Sequence, residues 1–295
     1  MHDWLLRLFA AWFALLPMLA AGAGPLSVFV SIQPQKQFVE RVGGDHVRVS
    51  VMVGPGQSPV TFEPRPRQMA GLARARLYYR IGVPFESVWM DRIRAINPQL
   101  SVLDAREGIR LRPIEAAGGQ AEARGHVTGK RPHDDPHIWL SPALVKIMVV
   151  RLRDRLIELD SAHEVDYRAN TEALIADLSR LQQQIRQRLA GLKSHNFMVF
   201  HPSWGYFADE FGLRQIPIES EGKAPGASTL AWLMDQAQRQ QIGMIFVQPQ
   251  FSQAQARALA QSVGARLVTI DSLAEDYIQN LRRVAAAIAG GDDGD

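Results

Sequence analysis

Residues 161–190 read SAHEVDYRANTEALIADLSRLQQQIRQRLA, with no proline or glycine anywhere in the run. Leu174, Leu178, Leu181, Ile185 and Leu189 recur at steps of three and four, which is one apolar stripe of a helix. Ser161 and Glu164 have the spacing of a capping box, so the helix is expected to begin there. At 1.5 Å per residue, about 30 residues make a rod of roughly 45 Å, enough to run the height of a two-part molecule. The competing reading is two ordinary helices with a break between them, because globular helices seldom exceed about 25 residues.

On either side of this stretch lie short apolar runs with the look of buried strands. Leu26–Ile32, Val47–Val53, Ala75–Ile81 and Leu100–Leu103 precede it; Phe197–Phe200, Met244–Val247 and Leu267–Ile270 follow it. Strands alternating with helical patterns predict an α/β fold with mainly parallel sheets. The expected organisation is two lobes, each a mainly parallel sheet flanked by helices, joined by one long rigid helix. Their spans are 24–158 for the N-terminal lobe, 159–193 for the connecting helix and 194–295 for the C-terminal lobe. Residues 115–135, EAAGGQAEARGHVTGKRPHDD, are polar and Gly-rich and are expected to form an exposed, mobile loop.

Composition narrows the function. A length of 295 residues suggests about two domains. Apolar residues at 46% and charged residues at 21% are those of a globular chain. A net charge of +3 is too balanced to mark a nucleic-acid binder, so no nucleic-acid partner is expected. The absence of cysteine excludes disulfides, Cys-ligated zinc, iron–sulfur clusters, thiol catalysis and a lipid-modified cysteine. Residues 4–21, WLLRLFAAWFALLPMLAA, followed by Ala21-Gly22-Ala23, fit a secretory signal peptide over 1–23 cleaved after Ala23. An uncleaved anchor is the alternative, disfavoured by the short run broken at Pro17. Export without a Cys anchor or disulfides leads us to expect a bacterial periplasm.

Two strand candidates end on chemistry-bearing side chains: FMVF runs into His201 and LVTI into Asp271. Ligands of open α/β sheets bind at the carboxyl ends of strands. His137, in Asp134-Asp135-Pro136-His137-Ile138-Trp139, adds a second imidazole, and Pro136 holds Asp135 extended. Two imidazoles and a carboxylate suit zinc and tolerate manganese or iron. Each residue also has a plain role: a lone histidine is usually a surface or hydrogen-bonded group, and Asp271 before Ser272-Leu273-Ala274-Glu275 reads as a helix N-cap. His126 and His133 fall in the polar loop, and Trp204, Tyr206, Phe207 and Phe211 have the spacing of core residues. No HExxH, GxSxG, GxxxxGK[ST] or GxGxxG motif is present, so an enzyme reading lacks its nucleophile or cofactor motif.

Taken in order, the segments SIQPQKQFVERVGGDHVRVSVMVGPGQSPVTFEPRPRQMAGLARARLYYRIGVPFE, DPHIWLSP, FHPSWGYFADEFGL, EGKAPGASTL, IFVQPQFS and TIDSL resemble the zinc- and manganese-binding solute receptors of bacterial ABC importers, of the TroA-like and ZnuA-like type. The resemblance spans roughly residues 26–290. It implies a two-lobed receptor with the metal in the cleft, and His137, His201 and Asp271 as the second, third and fourth ligands. The family's first ligand is a histidine in PG-x-x-PH-x-[YF]EP; here the stretch is Pro55–Pro64 and Val60 stands in its place. Water, Glu63, His126 or His133 are the candidates to complete the coordination. His201, where manganese receptors usually have Glu, tilts the expectation to Zn2+ over Mn2+ or Fe2+.

The function expected is therefore a periplasmic, monomeric receptor, not an enzyme, that captures a divalent metal ion and passes it to the membrane permease of an ABC importer. A secreted metallohydrolase, using an open zinc position with Glu63 or Glu219 as base, is a weaker alternative. So is a surface protein in which the metal only stabilises the fold.

Overall fold

The computed structural model describes residues 24–117, 134–219 and 225–290. The segment read as a signal peptide lies outside them, as does most of the polar loop, including His126 and His133.

The N-terminal sheet grows from β1 (Leu26–Ile32), which is apolar on both faces and buried along most of its length. Helix α1 (Gln33–Gly43) crosses back to β2 (Val47–Val53), which pairs parallel to β1 from Leu26↔Val47 to Ile32↔Val53. After α2 (Pro66–Leu72), β3 (Leu77–Arg80) joins the other side of β1; α3 (Pro84–Ile96) then leads to β4 (Ser101–Asp104). The order is β2-β1-β3-β4, all parallel. Proline at the first turn starts α1, α2 and α3, where a missing N–H costs nothing.

Two long helices follow, α4 (Pro142–Leu159) and α5 (Glu164–Leu189), packed on each other. The second sheet repeats the first pattern. Strands β5 (Asn196–Val199), β6 (Arg214–Pro217), β7 (Met244–Val247) and β8 (Arg266–Thr269) are separated by α6 (Gly205–Phe211), α7 (Ala227–Arg239) and α8 (Gln253–Ser262), and α9 (Tyr277–Ile288) closes the chain. Its order is β6-β5-β7-β8, again all parallel. The expected fold class is the observed one.

Two expectations need correction. Residues Ser161–His163 form a 3₁₀ turn, and α5 starts at Glu164 with no side-chain cap, so the capping-box spacing does not mark the start. The helix has 26 residues and is about 39 Å long, shorter than the sequence suggested. The reason is Asp160, whose Oδ2 accepts from His163 Nδ1 (2.6 Å) and Tyr167 OH (2.7 Å) and so fixes a corner between α4 and α5. Strand β6 is absent from the sequence reading: it has four residues, ends in Pro217 and sits at the sheet edge, where proline is tolerated.

The stripe of α5 is buried as its periodicity predicted: Leu174, Leu178, Leu181, Ile185 and Leu189 belong to one apolar cluster that also includes Val28 and Val30 of the first sheet and Trp204, Phe246 and Leu281 of the second half. A smaller cluster around Met198, Ile245 and Val247 fills the other face of the second sheet. The lobes therefore share a core through α5. Leu178→Ala is expected to cost about 2–5 kcal/mol through the cavity it leaves, read as a lower urea midpoint with an undivided transition.

Burial by itself would raise the pKa of Asp160, but its bonds from His163 and Tyr167 outweigh that and hold the carboxyl below its usual range. A depressed carboxylate contributes stability above the unfolded pKa of roughly 3.9 and loses it as pH falls through the folded one. Asp160→Asn should therefore destabilise the protein at neutral pH. The gap from the parent should close below that window, as measured by urea unfolding against pH.

Candidate metal site

Three strand ends and one turn supply the site. His201 lies just beyond β5, between β5 and its neighbours β6 and β7, at the point where the strand order of the second sheet reverses. Parallel pairing continues past the formal ends of β5 and β6: Ile218 N donates to Val199 O (2.9 Å) and Glu219 N to Phe200 O (3.0 Å). This sets Glu219 beside His201, and their side chains meet with Nδ1 to Oε1 at 2.5 Å. Gln248, beyond β7, holds the His201 backbone from the other side, accepting from its N–H and donating to its C=O (2.8 Å) and to Ser203 Oγ (2.8 Å). Phe251 stacks on the imidazole at 4.6 Å between ring centroids.

His137 is positioned by its own turn. Pro136 keeps Asp135 extended, and Asp135 Oδ1 accepts from both the His137 backbone N–H (3.0 Å) and its Nδ1 (2.6 Å). Asp135 is tied in turn to the second lobe: its C=O accepts from Tyr206 OH (3.0 Å), and that hydroxyl accepts from Arg112 N–H (3.0 Å). Gly205 makes room here, because a Cβ would lie 1.7 Å from Arg112 Nη1 and 3.1 Å from Asp135 Oδ2.

The two imidazoles face each other with centroids 5.2 Å apart and planes at 75°. Each spends Nδ1 on a fully buried carboxylate. That contact places the ring proton on Nδ1 and leaves the Nε2 lone pair as the coordinating atom, the usual orientation of a metal-binding histidine. Burial lowers the His201 pKa against the opposing pull of Glu219, and His137 lowers it further, which favours the neutral ligand form. The second oxygens, Asp135 Oδ2 and Glu219 Oε2, are buried and have no hydrogen-bond partner among the described residues. The Arg112 guanidinium lies beside Asp135 Oδ2, both next to Gly205; buried carboxylates behind two nitrogen donors are a setting for a cation.

Asp271 stands apart from this pair. It follows β8 by two positions, and its Oδ1 accepts from Leu273 N–H (2.9 Å) and Gln250 Nε2 (3.0 Å). It is not a helix N-cap: α9 starts later, with Asp276 as its cap. A bond from Trp139 Nε1 to Ser272 O (2.8 Å) ties the chain after His137 to the chain after Asp271. Even so, no group of three His, Cys, Asp or Glu side chains is gathered around one point among the described residues. The structure thus brings together His137 and His201 and holds Asp271 separately, on a hydrogen-bonded loop after β8. Val60 and Glu63 lie on the exposed loop before α2, Val60 with half its surface in solvent.

Two site residues escaped the sequence reading as partners of the imidazoles. Glu219 was hidden because β6 was. Asp135 had a signal, since an Asp two residues before a His across a Pro is the spacing of a side-chain-to-backbone turn.

A two-lobed molecule with two parallel sheets, a helical spine and facing imidazoles, one at a strand end and one on a turn, has the architecture of the metal-binding solute receptors. Residues 28–291 match the family model of the periplasmic zinc-uptake complex component A, ZnuA, and the chain belongs to that family, one of solute receptors rather than enzymes. It is 27% identical over 257 residues to the high-affinity zinc uptake system protein ZnuA of Bacillus subtilis, covering 84% of this chain and 78% of that one. It is 26% identical over 268 residues to the zinc-binding lipoprotein AdcA of Streptococcus pneumoniae, a match over 86% of this chain and only 52% of that relative's length. A crystal structure of ZnuA superposes with a TM-score of 0.82 at 40% identity, covering 90% of this chain and 99% of that one.

Asp135→Asn and Glu219→Gln keep the shape but let an amide donate to Nδ1, which drives the ring proton onto Nε2. Each is expected to weaken zinc binding roughly 10–100-fold, measured by competition against a chelating dye.

Proposed function

We propose that this chain captures Zn2+ in the periplasm and delivers it to the membrane permease of an ABC importer. In this reading residues 1–23 are a cleaved signal peptide, and the mature receptor comprises lobes 24–158 and 194–295 with residues 159–193 as connector. It works as a monomer, since one chain supplies both walls of the cleft. His137 and His201 hold the ion through Nε2, and Asp271 supplies the third donor. The observation that carries the reading is the pair of imidazoles, 5.2 Å apart, each with Nδ1 committed to a buried carboxylate. Nitrogen donors of this kind favour zinc over manganese.

Capture requires only ligand exchange, so no catalytic base is needed. Titration calorimetry of the metal-stripped protein is expected to show one Zn2+ per chain. His137→Ala and His201→Ala should each weaken binding by more than the roughly 10–100-fold expected of their carboxylate partners. Unchanged affinity in both variants would remove the assignment. Val60→His, which restores an imidazole at the position where the resembled receptors carry one, should tighten zinc binding.

A further inference from the structure

The paired imidazoles have a cation of the protein's own behind them. Arg112 precedes a short antiparallel bridge, Pro113↔Asp134, at the foot of the turn that holds His137. Its backbone does the anchoring there: its N–H donates to Tyr206 OH (3.0 Å) and its C=O accepts from Asp135 N–H (2.8 Å). The side chain is not needed for that tie. It reaches Glu115 through Nη2 and Asp209 through Nε, the latter at 3.4 Å. Its remaining nitrogen, Nη1, is buried and has no hydrogen-bond partner among the described residues, and Asp135 Oδ2 is in the same condition. The two atoms border one small space over Gly205, where a Cβ would lie 1.7 Å from Nη1 and 3.1 Å from Oδ2.

A buried donor and a buried acceptor of opposite charge ordinarily close on each other, because leaving either unsatisfied is costly. Here the other two nitrogens of the guanidinium are held by Glu115 and Asp209, and the other oxygen of Asp135 is held by His137. Asp135 therefore stands between the guanidinium on one side and the ligand imidazole on the other. We propose that Arg112 sets the affinity of the metal site: by drawing on the charge of Asp135 it weakens that carboxylate's support of His137 and opposes the incoming dication, which keeps the ion releasable. This rests on the zinc-capture reading above. A fixed positive charge beside a carboxylate lowers its attraction for every other cation in reach, and in a poorly solvated site the effect extends over several ångströms. The partner of a ligating histidine is also where metal affinity is tuned. Arg112 acts through Asp135 alone and is a positioning residue.

Competition of the metal-stripped full chain against a chelating dye tests this, paired with thermal unfolding with and without Zn2+. Arg112→Met keeps the aliphatic stem and removes the charge. It is expected to bind Zn2+ about tenfold tighter than the parent, while the metal-free form melts at a lower temperature and gains more from added zinc. Arg112→Lys, which keeps a cation there, should stay near the parental affinity. Gly205→Ala provides a second route: its methyl displaces the guanidinium from Asp135 without changing any charge, and it too should tighten zinc binding. A purely structural role for Arg112 has the opposite sign, lower stability together with weaker binding. Unchanged or weaker affinity in Arg112→Met overturns the proposal and leaves zinc capture standing, as does equal tightening in Arg112→Lys. If Arg112→Met fails to fold, Gly205→Ala decides by the same sign. A parent protein that binds no zinc removes both readings.

Discussion

Asp135 and Glu219 are carboxylates with almost no access to water, each bonded through one oxygen to an imidazole Nδ1, the second oxygen having no hydrogen-bond partner among the described residues. Burying a charge in this way is unfavourable unless something compensates for it. The imidazoles compensate only in part, because burial and mutual proximity resist protonation of His201. A dication at the two Nε2 atoms would add positive charge near both carboxylates and would be held by ligands whose tautomers the carboxylates have already set. The interaction that orients the ligands is therefore also one that would make occupancy by a cation favourable.

The fold provides this arrangement at its least ordinary place. In the second sheet the chain leaves β5 one way and returns to β7 the other, and His201 stands in that gap with Glu219 and Gln248 on the flanking strand ends. His137 has no strand to stand on. Its position comes from a proline-fixed turn and from Tyr206 and Trp139, which bind that turn to the second lobe. A site between lobes is therefore assembled chiefly from one sheet, with the other contributing the loop opposite.

Sequence patterns exposed the parts whose periodicity is strong. The α5 stripe, the long β1 and β2 strands and the strand-end placement of His201 and Asp271 all follow from apolar spacing. What stayed hidden depends on contacts distant in the chain. Strand β6 is four residues with a terminal proline and no alternation, so Glu219, the residue that its pairing delivers, had no visible neighbour 18 positions earlier. Ser161 carries a correct capping pattern, yet the nearby Asp160 takes over the corner by bonding His163 and Tyr167. Local rules were obeyed there, but a competing local partner decided the helix start.

The shared core bears on how capture takes place. Leucines of α5 pack in one cluster with residues of both sheets, so a large hinge motion would expose apolar surface worth about 25 cal/mol per Å2. That penalty weighs against large lobe motion; the loop carrying Val60 and Glu63 is itself pinned to the cluster by Phe62, and the segment after β8 by Ile270. Val60 stands on that exposed loop with half its surface in solvent, held by the packing of Phe62 beneath it.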